Sequence, residues 1–136
     1  MPTAPSRTSS RPPRGEIRVC DVDVTPFRSM EEAIRTVIDG SGGVEPGFGI
    51  AINPEKIVAA RRDAGVRRTL QSATLRFADG VGVVAALWLN GSPTARRVPG
   101  CELWEPLMQR AGAAGVPVFL IGSPPAVTDR AAAPLA

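Results

Sequence analysis

A chain of 136 residues, 43% of them hydrophobic, is long enough to bury one core and short for two. It contains no histidine and no tyrosine, which removes Ser-His-Asp catalysis, most zinc sites and any tyrosine acid. The net charge is +3 and the pI about 9.6, yet Arg7, Arg11 and Arg14 in a Pro/Ser-rich start supply much of that excess and no basic stripe alternates with aromatics, so nucleic acid is discounted as a partner.

Cys20 and Cys101 lie far apart without CxxC spacing, which reads as two free thiols in a reducing compartment. No apolar run reaches the roughly 18 to 20 residues of a membrane-spanning helix, and the N-terminus lacks the apolar core of a signal peptide. The expected location is the cytoplasm, including the inner face of the plasma membrane.

Residues 1–15, rich in Pro, Ser, Thr and Arg, read as a disordered leader ahead of one α/β domain over 16–136. Ile17 to Val24 alternates apolar and polar residues, the pattern of one half-buried strand near a sheet edge. Ser29-Met30-Glu31-Glu32 fits a capping box, and Met30, Ile34, Val37 and Ile38 then recur at helical spacing before Gly40. After a Gly-rich loop, Phe48 to Ile52 is a short apolar run of the kind buried on both faces in a parallel sheet. Asn53-Pro54 combines a favoured N-cap with a proline preorganised for the first helical position, and Ile57, Val58 and Ala60 supply the apolar face of that helix. Arg61, Arg62, Arg67 and Arg68 flank an expected turn around Gly65 as solvated surface.

Leu75 and Phe77 end a further strand, Asp79-Gly80 makes a tight turn, and Val81 to Leu89 is an apolar helix. Asp79 therefore stands where a strand hands over to a helix N-terminus, the edge at which open parallel sheets bind ligands and free N–H groups attract anions. Asn90-Gly91-Ser92-Pro93 stops that helix. Glu102 to Ala111 describes another, with acid in its first turn and Arg110 near its end. Val116 to Ile121 reads as a buried strand, followed by Gly122-Ser123-Pro124 and one more short helix. Alternation of this kind implies an α/β fold, a mainly parallel sheet covered by helices in Rossmann-like fashion with right-handed crossovers. The chain stops at Ala136 without a closing strand, so the expectation is an unfinished sheet and a C-terminally truncated product or fragment.

Four segments in order carry a family resemblance: Ile52-Asn53-Pro54-Glu55-Lys56-Ile57; Ala78-Asp79-Gly80-Val81-Gly82-Val83-Val84; Arg97-Val98-Pro99-Gly100 with Leu103-Trp104-Glu105; and Val118-Phe119-Leu120-Ile121-Gly122. Together they make the chain, from about Val19 to Leu135, resemble the WecG/TagA/CpsF family of bacterial glycosyltransferases, glycosyltransferase family 26. The resemblance implies an inverting enzyme of cell-surface polysaccharide biosynthesis that uses no metal and no other cofactor. Its donor would be a UDP-linked N-acetylmannosamine-type sugar and its acceptor a polyprenyl-diphosphate-linked N-acetylglucosamine. Leu103 to Met108 resembles the branch that transfers N-acetylmannosaminuronic acid more than the teichoic-acid branch. Self-association and peripheral membrane contact are further expectations from the family, although its basic C-terminal membrane-docking appendage has no counterpart here.

By the same resemblance Asp79 falls on the catalytic base, and Asn53 beside it belongs to the substrate pocket. Arg97 meets phosphate or acceptor, and Gly80, Gly82 and Gly122 allow close backbone approach in the substrate site. Read from the residues alone, Asp79 and Asn53 are N-caps of the helices they precede. Two positions depart from the family pattern: Ala51 where a threonine is common, and Glu102 where an aspartate is common. A non-catalytic nucleotide- or sugar-binding module is the alternative function. A nicotinamide-binding domain ranks below both, because Gly80-x-Gly82 lacks the third glycine of that fingerprint.

Overall fold

The computed structural model describes residues 15–135, so the expected leader lies outside the described residues except for Gly15. Two strands in parallel register form the centre of an α/β architecture: β3 (Gly49–Ile52) pairs with β4 (Leu75–Ala78), Ile50 facing Arg76 and Ile52 facing Ala78. On the far side of β4 the chain at Thr25 runs parallel to Phe77, and the Thr25 N–H donates to the Arg76 carbonyl at 2.8 Å.

The residues before Thr25 depart from expectation. Instead of one strand they form an antiparallel hairpin, β1 (Ile17–Val19) and β2 (Val22–Val24). The tight turn carries no glycine; Cys20 takes the left-handed conformation itself, at φ 55°. An Arg18 to Asp23 ion pair at 2.8 Å closes the exposed side of the hairpin, while Val22 and Val24 are fully buried.

Alternation along β3 and β4 sends side chains to two faces, and each face has its own core. Leu75, Phe77 and Ala51 point to one face, where they pack with Phe27, Ile34 and Leu103 under α1 (Met30–Val37) and α5 (Gly100–Ala113). Ile50, Ile52 and Ala78 point to the other, under α2 (Pro54–Arg62), α3 (Ala64–Ser72), α4 (Val81–Leu89) and the hairpin valines. Fully buried Ile52 and Leu87 each contribute about 1.5–3 kcal/mol through lost apolar exposure. The helices begin where their caps dictate. Ser29 accepts from the Glu32 N–H at 3.1 Å, and Glu32 reaches back to the Arg28 N–H at 2.8 Å, a capping box displaced by one residue.

Three further expectations change. The turn expected at Gly65 falls at Asp63, which ends α2 and caps α3 by accepting from the Gly65 and Val66 N–H groups, so Gly65 lies inside a helix that the sequence reading did not separate. Strand β3 is not buried on both faces: Gly49 is exposed, Ile50 and Ala51 half-buried. Residues 116–121 form no regular element and pair with no strand among the described residues, with Phe119 and Ile121 each 92% exposed. Without a neighbouring strand to take its N–H and C=O groups, an apolar run of high β-propensity does not become a strand. The short helix expected after it is present as α6 (Pro125–Ala132), followed by a 3₁₀ turn at Ala133–Leu135.

Candidate functional site

Parallel pairing of Ile52 with Ala78 places the next residues, Asn53 and Asp79, side by side at the carboxyl edge of the sheet. The Asp79 N–H donates to the Ile52 carbonyl at 2.8 Å, which continues the ladder by one bond and holds the two residues level. Asn53 serves as a cap: its Oδ1 accepts from the Lys56 N–H at 2.9 Å, satisfying one of the unpaired donors of α2.

Asp79 does not cap the helix that follows it. Gly80 is the N-cap of α4 and supplies no side chain, while Asp79 Oδ2 accepts from the N–H of Gly100, the first residue of α5, at 3.3 Å. Among the described residues this is the one hydrogen bond to the Asp79 carboxylate, so Oδ1 keeps its lone pairs for another donor. The starts of three helices thus meet around one half-buried carboxylate, and α4 and α5 begin without a side-chain cap.

Loop 90–99 brings the third motif to this point. Trp88 in α4 donates from Nε1 to the Ala95 carbonyl at 2.8 Å and pins the loop. The Arg96 N–H then bonds the Phe27 carbonyl and the Val98 N–H bonds the Ala78 carbonyl, both at 2.7 Å. Val98 is fully buried, so its neighbours are fixed: Arg97 projects outward on one side, and Pro99 and Gly100 turn into α5 on the other. The Arg97 side chain is 46% exposed and its Nη2 approaches Glu102 Oε1 at 3.3 Å. Glu102, a departure from the family pattern, thus finds a partner in the arginine expected to meet phosphate.

The glycines differ in what they accommodate. At Gly80 a Cβ would come within 3.0 Å of Pro54 Cδ, a ring atom with little freedom to move, whereas at Gly82 it would stand 3.5 Å from Pro54 Cγ in ordinary contact. At Gly100 a Cβ would lie 3.8 Å from Ala51 Cβ and 3.9 Å from Asp79 Oδ2, so the second departure, Ala51, and the carboxylate both stand close to the start of α5. Gly122 is not brought into this group: it is exposed at φ 118°, and no heavy atom lies within 4 Å of where its Cβ would be.

Sequence reasoning missed the Asp79 bond to Gly100 and the roles of Trp88 and Val98. It also missed Arg76. That residue is buried on β4, where its Nη1 donates to the carbonyls of Leu70 (3.2 Å), Gln71 (2.9 Å) and Ala73 (2.7 Å) at the end of α3, and its Nη2 pairs with Glu16. An arginine at an inward strand position was the available signal.

Among the described residues, no cluster of three or more Cys, Asp or Glu side chains is placed to hold a metal ion, and no helix is long and apolar enough to cross a membrane. Both cysteines are free and exposed.

A carboxylate and an asparagine at the carboxyl edge of a parallel α/β sheet, among helix starts, occupy the place where folds of this class bind ligands. Residues 17–136 match the model of the glycosyl transferase WecG/TagA/CpsF family, and the chain belongs to that family. The family places it among the glycosyltransferases of cell-surface polysaccharide synthesis. No solved structure matches the chain.

Proposed function

We propose that the chain acts as an inverting glycosyltransferase that moves an N-acetylmannosamine-type sugar, N-acetylmannosamine or its uronic acid, from a UDP donor to a polyprenyl-diphosphate-linked N-acetylglucosamine. The observation that carries this reading is the Asp79 carboxylate, held by the Gly100 N–H through Oδ2 and open at Oδ1. In the proposed step Asp79 takes the proton of the acceptor hydroxyl as that oxygen attacks the anomeric carbon from the face opposite UDP. The bond from the anomeric carbon to the diphosphate oxygen breaks, and UDP leaves with its electron pair. Arg97 meets the charge that develops on the diphosphate, a task suited to a planar guanidinium. Asn53, level with Asp79 on the neighbouring strand, borders the sugar. Gly80 and Gly82 leave the start of α4 bare for close approach.

Such an enzyme works where its lipid-linked acceptor is, at the cytoplasmic face of the membrane, and self-association is part of the same proposal. The test is incubation with each UDP-sugar and a short-chain lipid-diphosphate N-acetylglucosamine, with the product read by mass. A disaccharide formed by the chain but not by Asp79→Ala supports transfer. The position of Gly122 outside the group favours one second reading, a binding module without turnover. A UDP-sugar that raises the unfolding temperature with no disaccharide formed would support that reading instead.

A further inference from the structure

We infer that Glu102 is a positioning residue of the donor site: its carboxylate is a built-in counter-anion that holds Arg97 in the free protein and gives way to the diphosphate when the donor binds. The inference rests on the proposed role of Arg97 in meeting that diphosphate.

Both partners spring from fixed backbone. On either side of Arg97 the chain is anchored, the Arg96 N–H to the Phe27 carbonyl and the Val98 N–H to the Ala78 carbonyl, each at 2.7 Å. Glu102 sits in the first turn of α5, its N–H bonded to the Pro99 carbonyl at 3.1 Å and its neighbour Leu103 buried in the core. Between them lies Gly100, whose N–H holds Asp79 Oδ2 at 3.3 Å. The pair therefore straddles the corner to which the candidate base is tied.

The contact itself is loose. Arg97 spends Nη2 alone, on Glu102 Oε1 at 3.3 Å, and neither side chain makes another hydrogen bond among the described residues, so most of the donors of the guanidinium fork stay free. Arginines that serve the fold are held harder. Arg18 grips Asp23 with two bonds, each 2.8 Å, Arg110 reaches Glu31 at 2.7 Å, and Arg76 donates from Nη1 to the Leu70, Gln71 and Ala73 carbonyls. The Arg97 and Glu102 side chains are 46% and 62% exposed, so water screens their attraction and the pair is weak.

A diphosphate offers the same guanidinium a two-pronged grip and more negative charge than one carboxylate, so exchange favours the ligand. Glu102, once released, stays beside the start of a helix that has no side-chain cap, where negative charge is favoured. Its carboxylate thus keeps Arg97 paired near the corner in the free protein and weakens donor binding by the free energy of one exposed ion pair.

A double-mutant cycle on the full chain tests this, with UDP alone as the probe and Kd read by titration calorimetry. Arg97→Gln should weaken UDP binding at least about tenfold. Glu102→Gln should tighten it about two- to fivefold, the range an exposed pair supports, whereas loss of a residue that only supported the fold would weaken it. In the Arg97→Gln background the gain from Glu102→Gln should disappear. Binding that depends on Arg97 but is unmoved or weakened by Glu102→Gln would overturn this inference alone. A gain of the same size with Arg97 already removed would overturn it too, since the carboxylate would then be repelling UDP directly. UDP binding that Arg97→Gln leaves unchanged would overturn the proposed role of Arg97 and this inference with it.

Discussion

Replacing Arg76 by methionine keeps much of the apolar stem and removes the guanidinium from the end of α3. The Ala73 carbonyl then loses its 2.7 Å donor in a buried position, at a cost of about 1–3 kcal/mol for an unsatisfied acceptor. The Leu70 carbonyl keeps the Ala73 N–H at 3.4 Å and Gln71 is partly exposed to water, so together these two add about 1 kcal/mol. Glu16, with its side chain 25% exposed, recovers hydration and contributes little. The expected loss is about 2–4 kcal/mol against a total stability of about 5–15 kcal/mol for a domain of this class. Urea unfolding followed by circular dichroism should show the midpoint lowered by roughly 1–2 M, since m is about 1–3 kcal/mol per molar for small proteins. Glu16→Gln, which removes only the ion pair, should cost about 1 kcal/mol or less. Arg76→Met within 0.5 kcal/mol of the parent, or Glu16→Gln as damaging as Arg76→Met, would refute the view that Arg76 acts by capping α3.

Three more outcomes are expected. Gly80→Ala should lower stability by about 1–2 kcal/mol through the 3.0 Å approach to Pro54, while Gly82→Ala, with 3.5 Å of room in the first turn of α4, should be neutral or stabilising by up to about 1 kcal/mol; parallel urea titrations compare the two. The Arg110 and Arg35 side chains hold the Glu31 carboxyl below its ordinary range, and Arg110 ties α5 to α1 at 2.7 Å. A carboxyl lowered by folding stabilises above its unfolded pKa and loses that contribution as pH falls through the folded value. Arg110→Gln should therefore lose less stability than the parent between pH 6 and pH 3 in acid-dependent urea titrations. Arg97→Lys, at a half-exposed position, should leave the unfolding midpoint within about 0.5 kcal/mol and raise the donor KM about tenfold, because an ammonium cannot grip a diphosphate bidentately.

Local signals were enough to bring Asn53 and Asp79 together at the sheet edge. Ile52 and Ala78 end apolar runs, Asn53 and Asp79 follow them, and parallel pairing is all that is needed to set the two side by side. What escaped the sequence depends on distant partners. Asp79 reads as the cap of its own helix, and only the fold shows its carboxylate crossing 21 positions to Gly100. Arg76 escaped because the carbonyls it caps and its partner Glu16, 60 positions away, are assembled by tertiary packing. The hairpin turn was illegible for a different reason: Cys20 carries a positive φ that sequence rules assign to glycine or asparagine. At 116–121 the pattern is that of a strand, but a pattern alone does not bring the run against a partner.

Asp79→Asn is the most direct measurement of the central claim. Asparagine can still accept from the Gly100 N–H, so the start of α5 stays anchored and the unfolding midpoint should move by less than about 1 kcal/mol. It cannot take a proton from the acceptor, and kcat for sugar transfer should fall by about 10²–10⁴. A folded Asp79→Asn protein that transfers sugar at the parent rate would place the base elsewhere.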